Sequence, residues 1–375
     1  MATGFFKKTI KLFFVVANIL VAICFCLGCY ANIFFSESFW LVGFFTLASF
    51  YLLLVLFIFF VGWLFARSRW AFLFIGILLI TYKPILNIIP LQLPTSFTLQ
   101  KPAAALRIMS WNVESFQILN YKTQPQLRQQ MIELIKRYDP DVACFQEMTT
   151  ADSDKTAMYQ LKDFVKDLGF PYYFYAYNIL DDYYPGTHTH YGRIIFSKKP
   201  IINKQMIEPD PLDYNRTFQY IDIVNNTDTF RVFNCHLQTM RFTQDNYKYI
   251  DSISSPDIKR SEGIISKLKA SFPKRKIQAD RIKEEMKKSP YPVILCGDFN
   301  DVPNSYAYTT IGDGLQNAFE KKGYGIGRTF SDILPTLRID NIFLDNNFEV
   351  AQYTRVKKML SDHYPIIADV IYKSR

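Results

Sequence analysis

Apolar residues run almost unbroken through the first ninety positions, then give way to short alternating stretches separated by polar turns. Leu12 to Tyr30, Phe39 to Phe65 and Trp70 to Pro90 are each long enough to cross a hydrocarbon core of about 30 Å, which takes roughly 20 helical residues. The pattern predicts three transmembrane helices, at about 12–30, 39–65 and 70–90. Lys83, Pro84 and Asn87 interrupt the second half of the third, where Lys83 can snorkel and Pro84 can kink, so a re-entrant or interfacial end is the alternative there. A cleaved signal peptide is the competing reading of the first run, but two further apolar spans directly behind it favour an anchor. Lys7, Lys8 and Lys11 precede the first span, Arg67 and Arg69 separate the second from the third, and residues 31–38 carry only Glu37. By the positive-inside rule the N-terminus is cytoplasmic and everything after the third span lies outside. The expected location is the cytoplasmic membrane, multi-pass, with an extracytoplasmic C-terminal domain.

A Pro-, Thr- and Ser-bearing linker over 91–104 leads to a domain spanning 105–375. There Leu106 to Trp111 alternates as a strand, Asp141 to Phe145 and Pro292 to Cys296 are short apolar runs that read as strands, and Tyr172 to Tyr177, Tyr191 to Ser197 and Ile366 to Tyr372 read as further strands. Thr217 to Val224 and Thr229 to Cys235 flank the polar turn Asn225 to Asp228 and predict a hairpin. Helical spacing marks Gln126 to Tyr138 and Leu161 to Leu168.

Charge and composition change this picture only in part. The net charge is +9, of which the membrane segment holds +5 and the remainder +4, too weak a balance to indicate nucleic acid by itself. Residues 257–290 form a helical insertion with eleven Lys or Arg, read either as a solvated face or as a surface turned to a polyanion or lipid headgroups. The six cysteines give no disulfide framework and no CxxC metal pattern: Cys24, Cys26 and Cys29 lie in the first span, and Cys144, Cys235 and Cys296 in apolar runs.

The candidate chemistry sits where apolar runs end. In Cys296-Gly297-Asp298-Phe299-Asn300-Asp301 a buried strand terminates in side chains two apart, so Asp298 and Asn300 can converge on one ligand while Phe299 packs away. A turn in which Asp and Asn cap their own backbone is the alternative. Asn112, Gln146-Glu147 and His236 close three other strands, each also open to a structural reading. Asp340 lies inside an apolar run, where a carboxylate is costly to bury without a partner such as a histidine. Ser361-Asp362-His363 precedes the last strand. Acidic and amide oxygens suit a hard divalent cation such as Mg²⁺. Zinc clusters, a GxSxG elbow and a Walker loop are absent from the sequence.

The ordered set Ser110-Trp111-Asn112, Gln146-Glu147, Tyr191-Gly192, Asn234-Cys235-His236-Leu237, Gly297-Asp298-Phe299-Asn300-Asp301, Arg338-Ile339-Asp340 and Ser361-Asp362-His363 resembles the endonuclease/exonuclease/phosphatase superfamily, which includes deoxyribonuclease I-like nucleases and neutral sphingomyelinases. The resemblance implies an α/β fold, a four-layer sandwich of two mixed β-sheets flanked by helices, here preceded by the three-helix membrane segment. It implies a phosphodiesterase using Mg²⁺ or Mn²⁺, with Glu147 the main metal ligand supported by Asn112 and Asp362. Asp298 would orient or deprotonate the attacking water, Asn300 would hold a phosphate oxygen, His236 and His363 would stabilise phosphoryl charge, and Asp340 would fix the His363 ring. Tyr191 and Arg193 are candidate substrate contacts; Arg193 replaces the small or amide residue usual in the family, and either faces the cleft or is a surface arginine. The expected partners are the lipid bilayer and a phosphodiester substrate, nucleic acid or lipid headgroup; no protein partner is inferable.

Overall fold

The computed structural model describes residues 2–93, 96–120, 123–151, 161–177, 188–207, 218–240, 242, 244–251 and 258–373. Pro94 and Thr95 of the expected linker, Thr217 of the hairpin and Asp257 of the basic segment lie outside them. The chain opens with α1 (Ala2–Cys29), whose stretch Phe5–Cys29 is long and apolar enough to cross a membrane. A short α2 (Ala31–Phe34) follows.

The second and third apolar runs are not single helices. Each is a bent pair: α3 (Leu41–Leu47) meets α4 (Ser49–Phe65) at 69°, and α5 (Ala71–Ile80) meets α6 (Tyr82–Ile88) at 79°. Local hydrogen bonds explain the breaks. Thr46 Oγ1 donates to the carbonyls of Val42 and Gly28 at 2.9 and 3.0 Å, and Thr81 Oγ1 donates to Ile77 at 2.7 Å, a competition with the helix ladder that bends helices. Pro84 has no N–H for the carbonyl of Ile80, four residues back, and the Tyr30 hydroxyl takes that acceptor at 2.5 Å.

The domain that follows contains two six-stranded sheets. Its elements are β1 (Leu106–Asn112), a 3₁₀ stretch Glu114–Asn120, α7 (Pro125–Tyr138), β2 (Val142–Ala151), α8 (Leu161–Lys166), β3 (Tyr172–Tyr177), β4 (Thr189–Ser197) and β5 (Ile201–Ile207). Then come β6 (Phe218–Asn225), β7 (Asp228–His236), α9 (Gln244–Asp251), α10 (Ile258–Lys287), β8 (Val293–Asp298), α11 (Tyr306–Gly312), β9 (Leu315–Asn317), α12 (Ala318–Lys322), β10 (Asp340–Asp345), β11 (Phe348–Arg355) and β12 (Ile366–Tyr372). One sheet has the order β11-β12-β1-β2-β4-β3, the other β5-β6-β7-β8-β10-β9. Each is antiparallel except for one central parallel pair, β1/β2 in the first and β7/β8 in the second. The expected sandwich of two mixed sheets is therefore the observed fold.

Strand periodicity sorts the core into layers. Ile108, Val142 and Cys144 of one sheet meet Ile221, Val232, Ile294 and Cys296 of the other between the sheets. Their neighbours Met109, Trp111, Ala143 and Phe145 face outward onto α7 and α8, while Phe233 and Leu295 pack beneath α10 and α11.

The N-terminal apolar segment is fastened to this sandwich rather than tethered by a free linker. Arg338, fully buried, donates to the carbonyls of Ile326 at 3.0 Å, of Ile88 at 3.4 Å and of Asn87, so it satisfies the C-terminal carbonyls of α6. Asn87 donates to Asn304, and Asn304 to the carbonyl of Pro84, both at 2.9 Å. Phe272 of α10 packs edge-on against Phe35 and Phe44, and a Cβ on Gly43 would lie 2.7 Å from its ring. Leu91 bridges to Tyr324, and Gln352 accepts from the backbone N–H of Thr98.

Candidate active site

The two parallel pairs bring the carboxyl ends of β1, β2, β7 and β8 to one rim of the inter-sheet layer. Asn112 ends β1 opposite Gln146, and His236 ends β7 opposite Asp298, the last residue of β8. Asp340 opens β10 and pairs with Asp298 from the other side. Asp298 continues the inward face of Ile294 and Cys296, so it points between the sheets.

Glu147 does not end its strand as the sequence suggested. β2 continues to Ala151 through a bulge between Phe145 and Met148, and Glu147 occupies it with φ of 55°. A non-glycine residue at positive φ is held by its surroundings, and here the bulge re-aims the carboxylate toward the rim.

The floor is a polar network. Asn234 donates to the carbonyls of Phe145 and Ile194, both at 3.0 Å, and accepts from Gln146 at 2.7 Å, which joins the two sheets directly below the rim. Their place within the quoted motifs was visible in sequence, but their structural task was not: it depends on two strands 88 positions apart facing each other.

Asp298 is the centre of the site. Its carboxylate accepts from Asn112 Nδ2 at 3.1 Å, from the backbone N–H of Asn300 at 2.8 Å and from Asn300 Nδ2 at 3.3 Å. His236 Nε2 lies 3.5 Å away and His363 Nε2 3.6 Å away, both on Oδ2. His363 Nδ1 hydrogen-bonds Asp340 Oδ2 at 2.8 Å, which answers the question of the buried carboxylate in an apolar strand. Trp111 Nε1 donates to the His363 carbonyl at 2.9 Å, Ser361 Oγ accepts from its N–H at 3.2 Å, and the Phe330 ring stands edge-on to the imidazole. Thr329 Oγ1 accepts from the N–H groups of Ile339 and Asp340, a contact with no signal in the sequence.

The two imidazoles have opposite electrostatics. Burial, helped by Arg193 and His363, pushes His236 well below its ordinary pKa and favours the neutral ring. Burial also opposes charge on His363, but Asp340, Asp298 and Asp362 together outweigh it and raise the pKa well above the ordinary value. Asp298 is pushed up to about 7 by burial, with Asp340 adding and His363 and its hydrogen-bond donors opposing. Burial raises Asp362 to about 6, and it raises Glu147 as well, with Asp362 adding to the shift and Asn112, His363 and Tyr191 countering it.

Glu147, Asn112 and Asp362 offer hard oxygen donors, and burial of several carboxylates at one rim leaves them short of positive charge. His236 Nε2 and Asp340 Oδ1 are buried with no hydrogen-bond partner among the described residues. This donor set fits a divalent cation. Asp298, Asp340 and His363 also have atoms within 4.8 Å of one another, but the Asp340–His363 hydrogen bond already engages that pair.

Above the rim is a cavity of about 160 Å³. Glu147, Asp298, Asn300, Asp362 and His363 are among its lining residues, and Asn112, His236 and Asp340 contact Asp298 or His363 without lining it. Arg193 is no surface arginine: it is 3% exposed, its pKa is lowered to about 10 by burial, and it lies close enough to Glu147 and His236 to act on both. Half-buried Tyr191, two residues away on β4, sits opposite Thr149. Neither lines the cavity.

Residues 109–363 match the Endonuclease/Exonuclease/phosphatase family, and residues 10–88 match a domain of unknown function (DUF8431). No curated protein matches the chain. Among solved structures it is similar to an endonuclease/exonuclease/phosphatase from Beutenbergia cavernae, at 18% identity and a TM-score of 0.51 over 72% of each chain. It is also similar to a humanized D. rerio TDP2, at 17% and 0.50 over 72% of this chain and 99% of that one. A third likeness is to the human Nocturnin catalytic domain with bound sulfate anion, at 16% and 0.51 over 72% and 94%. At these identities the likeness is one of fold.

Proposed function

The chain belongs to the endonuclease/exonuclease/phosphatase family, and from that premise we propose that it is a membrane-anchored, Mg²⁺-dependent phosphodiesterase, nuclease-like in its chemistry, that works by in-line attack of water on phosphorus. The observation that carries this reading is the Asp298 carboxylate held between two imidazole Nε2 atoms, at 3.5 and 3.6 Å, one ring favoured neutral and the other favoured charged. Asp298, fixed by Asn112 and Asn300, orients the water and accepts its proton. His363, kept cationic and oriented by Asp340, faces the charge that grows on the phosphoryl oxygens. His236 supplies a neutral N–H to the same group, and Asn300 a side-chain amide. Glu147, Asn112 and Asp362 would hold the Mg²⁺ or Mn²⁺ ion, which supplies Lewis-acid stabilisation of that charge. Anchoring follows from α1, and we place the catalytic domain outside the cytoplasm on the charge asymmetry of the flanking residues.

The test is hydrolysis of a chromogenic phosphodiester by the full chain in detergent or nanodiscs. Turnover should require the divalent cation and vanish with EDTA. Asp298→Ala should lower kcat/KM by about 10³-fold or more while the thermal midpoint stays near that of the parent; unchanged turnover would sink the mechanism.

A further inference from the structure

The lining of the cavity over Asp298 is of two unlike kinds. Beside the acids, Asn300, Thr239 and His363 it includes Met240, Phe242, Phe330, Ile333, Leu337 and Ile339, an apolar wall whose Phe330 ring stands edge-on to the His363 imidazole. That wall does not stop at the cavity. Phe330, Ile333, Leu337 and Ile339 belong to one hydrophobic cluster that also takes in Phe242 and Leu47, the last residue of α3. Phe242 and Met240 in turn pack on a second cluster, made of Ala31, Phe35 and Val42 of the N-terminal apolar segment with Leu268 and Phe272 of α10. Buried apolar packing therefore runs from beside Asp298 to α2 and α3.

The charges are arranged to match. Among the described residues no Lys or Arg lines the cavity. The basic helix α10, the candidate polyanion surface in the sequence, directs cations elsewhere. Lys269 stands over the Trp40 ring at 4.8 Å, Arg275 pairs with Asp301 at 3.0 Å, and Lys276 pairs with Asp280 at 2.7 Å.

We infer that the substrate is a lipid phosphoester of the bilayer that holds the anchor: the polar lining of the cavity receives the phosphoryl group and the apolar wall receives the hydrocarbon attached next to it. This names the substrate class of the proposed phosphodiesterase and rests on that reading. The seat of α3 against the same wall sets the cavity beside the N-terminal apolar segment.

The experiment compares ethyl, butyl and hexyl diesters of para-nitrophenyl phosphate, alike in reacting centre and leaving group, and a single-stranded DNA oligonucleotide, using the full chain in nanodiscs with Mg²⁺. From ethyl to hexyl, kcat/KM should rise roughly tenfold or more, since each added methylene leaves water for the wall. In Phe242→Ser and in Met240→Gln the hexyl-to-ethyl ratio should fall toward one, and a ratio needs no correction for the amount of folded enzyme. Equal turnover of all three diesters, or DNA cleaved more efficiently than the hexyl diester, overturns the lipid substrate and leaves the phosphodiesterase standing. No turnover of any member overturns both.

Discussion

The N-terminal apolar segment and the two-sheet sandwich carry the same kinds of apolar residue with opposite exposures. In the first, Phe13, Leu20, Phe65 and Leu79 are more than half exposed; in the second, Ile108, Val142, Phe145 and Ile294 are fully buried. A helix hydrophobic all round can leave its outer side chains to lipid, whereas a two-sheet domain has to bury both faces of its central strands. What the difference teaches lies at the border. There the two regions are joined by saturating backbone groups as well as by packing: Arg338 takes up carbonyls at the end of α6, and Asn87 and Asn304 exchange amides with it.

Breaking that border should have graded effects. Arg338→Met should cost about 3 kcal/mol in chemical denaturation of the full chain in nanodiscs, because the carbonyls of Asn87, Ile88 and Ile326 lose their donor. Because Asp340 lies two residues further on, the comparison sharpens if kcat falls by more than the folded fraction does; a loss explained by unfolding alone would mean that α6 and the Asp340–His363 pair are independent. Tyr30→Phe leaves the Ile80 carbonyl without the hydroxyl that replaces the missing Pro84 N–H, and should cost about 1–2 kcal/mol in the same assay. Lys269→Ala removes the cation over Trp40 and should cost about 0.5 kcal/mol, near the limit of detection. An effect larger than that of Arg338→Met would place the main joint at α10 instead of α6.

The border also bears on how the protein is handled. A fragment starting at Lys101 would expose Phe272 and the wall around Leu337 that α3 covers. It should be oligomeric by size-exclusion chromatography, while the full chain in detergent runs as a discrete species.

Much of the sandwich was legible in the sequence because alternation is local. Ile294 and Cys296 announce one face and Leu295 the other, and the polar ends of the strands stood out as breaks in that rhythm. Asp340 was conspicuous as a carboxylate inside an apolar strand, and its partner proved to be His363. The 39–65 run read as one helix because its hydropathy is continuous, whereas Lys83, Pro84 and Asn87 already marked the 70–90 run as open to a kink; the bends at Ala48 and Thr81 arise from side-chain hydroxyls and from Tyr30, fifty residues from the acceptor it serves. Glu147 read as the end of a strand, since nothing in the order of residues distinguishes an end from a bulge.

The sequence alone therefore determined which positions are apolar on which face, which polar residues interrupt them, and that an apolar helix precedes an α/β domain. Those are properties of neighbours along the chain, fixed by the periods of helix and strand. Only the tertiary structure decided which interruptions meet: the parallel pairs that bring Asn112, Glu147, His236 and Asp298 to one rim, the inward turn of Arg193 and the apolar wall that runs from Asp298 to α3. A repeating pattern specifies the face a residue occupies within its own element. It carries no information about which distant face will be packed against it, and the chemistry of this site is made at such contacts.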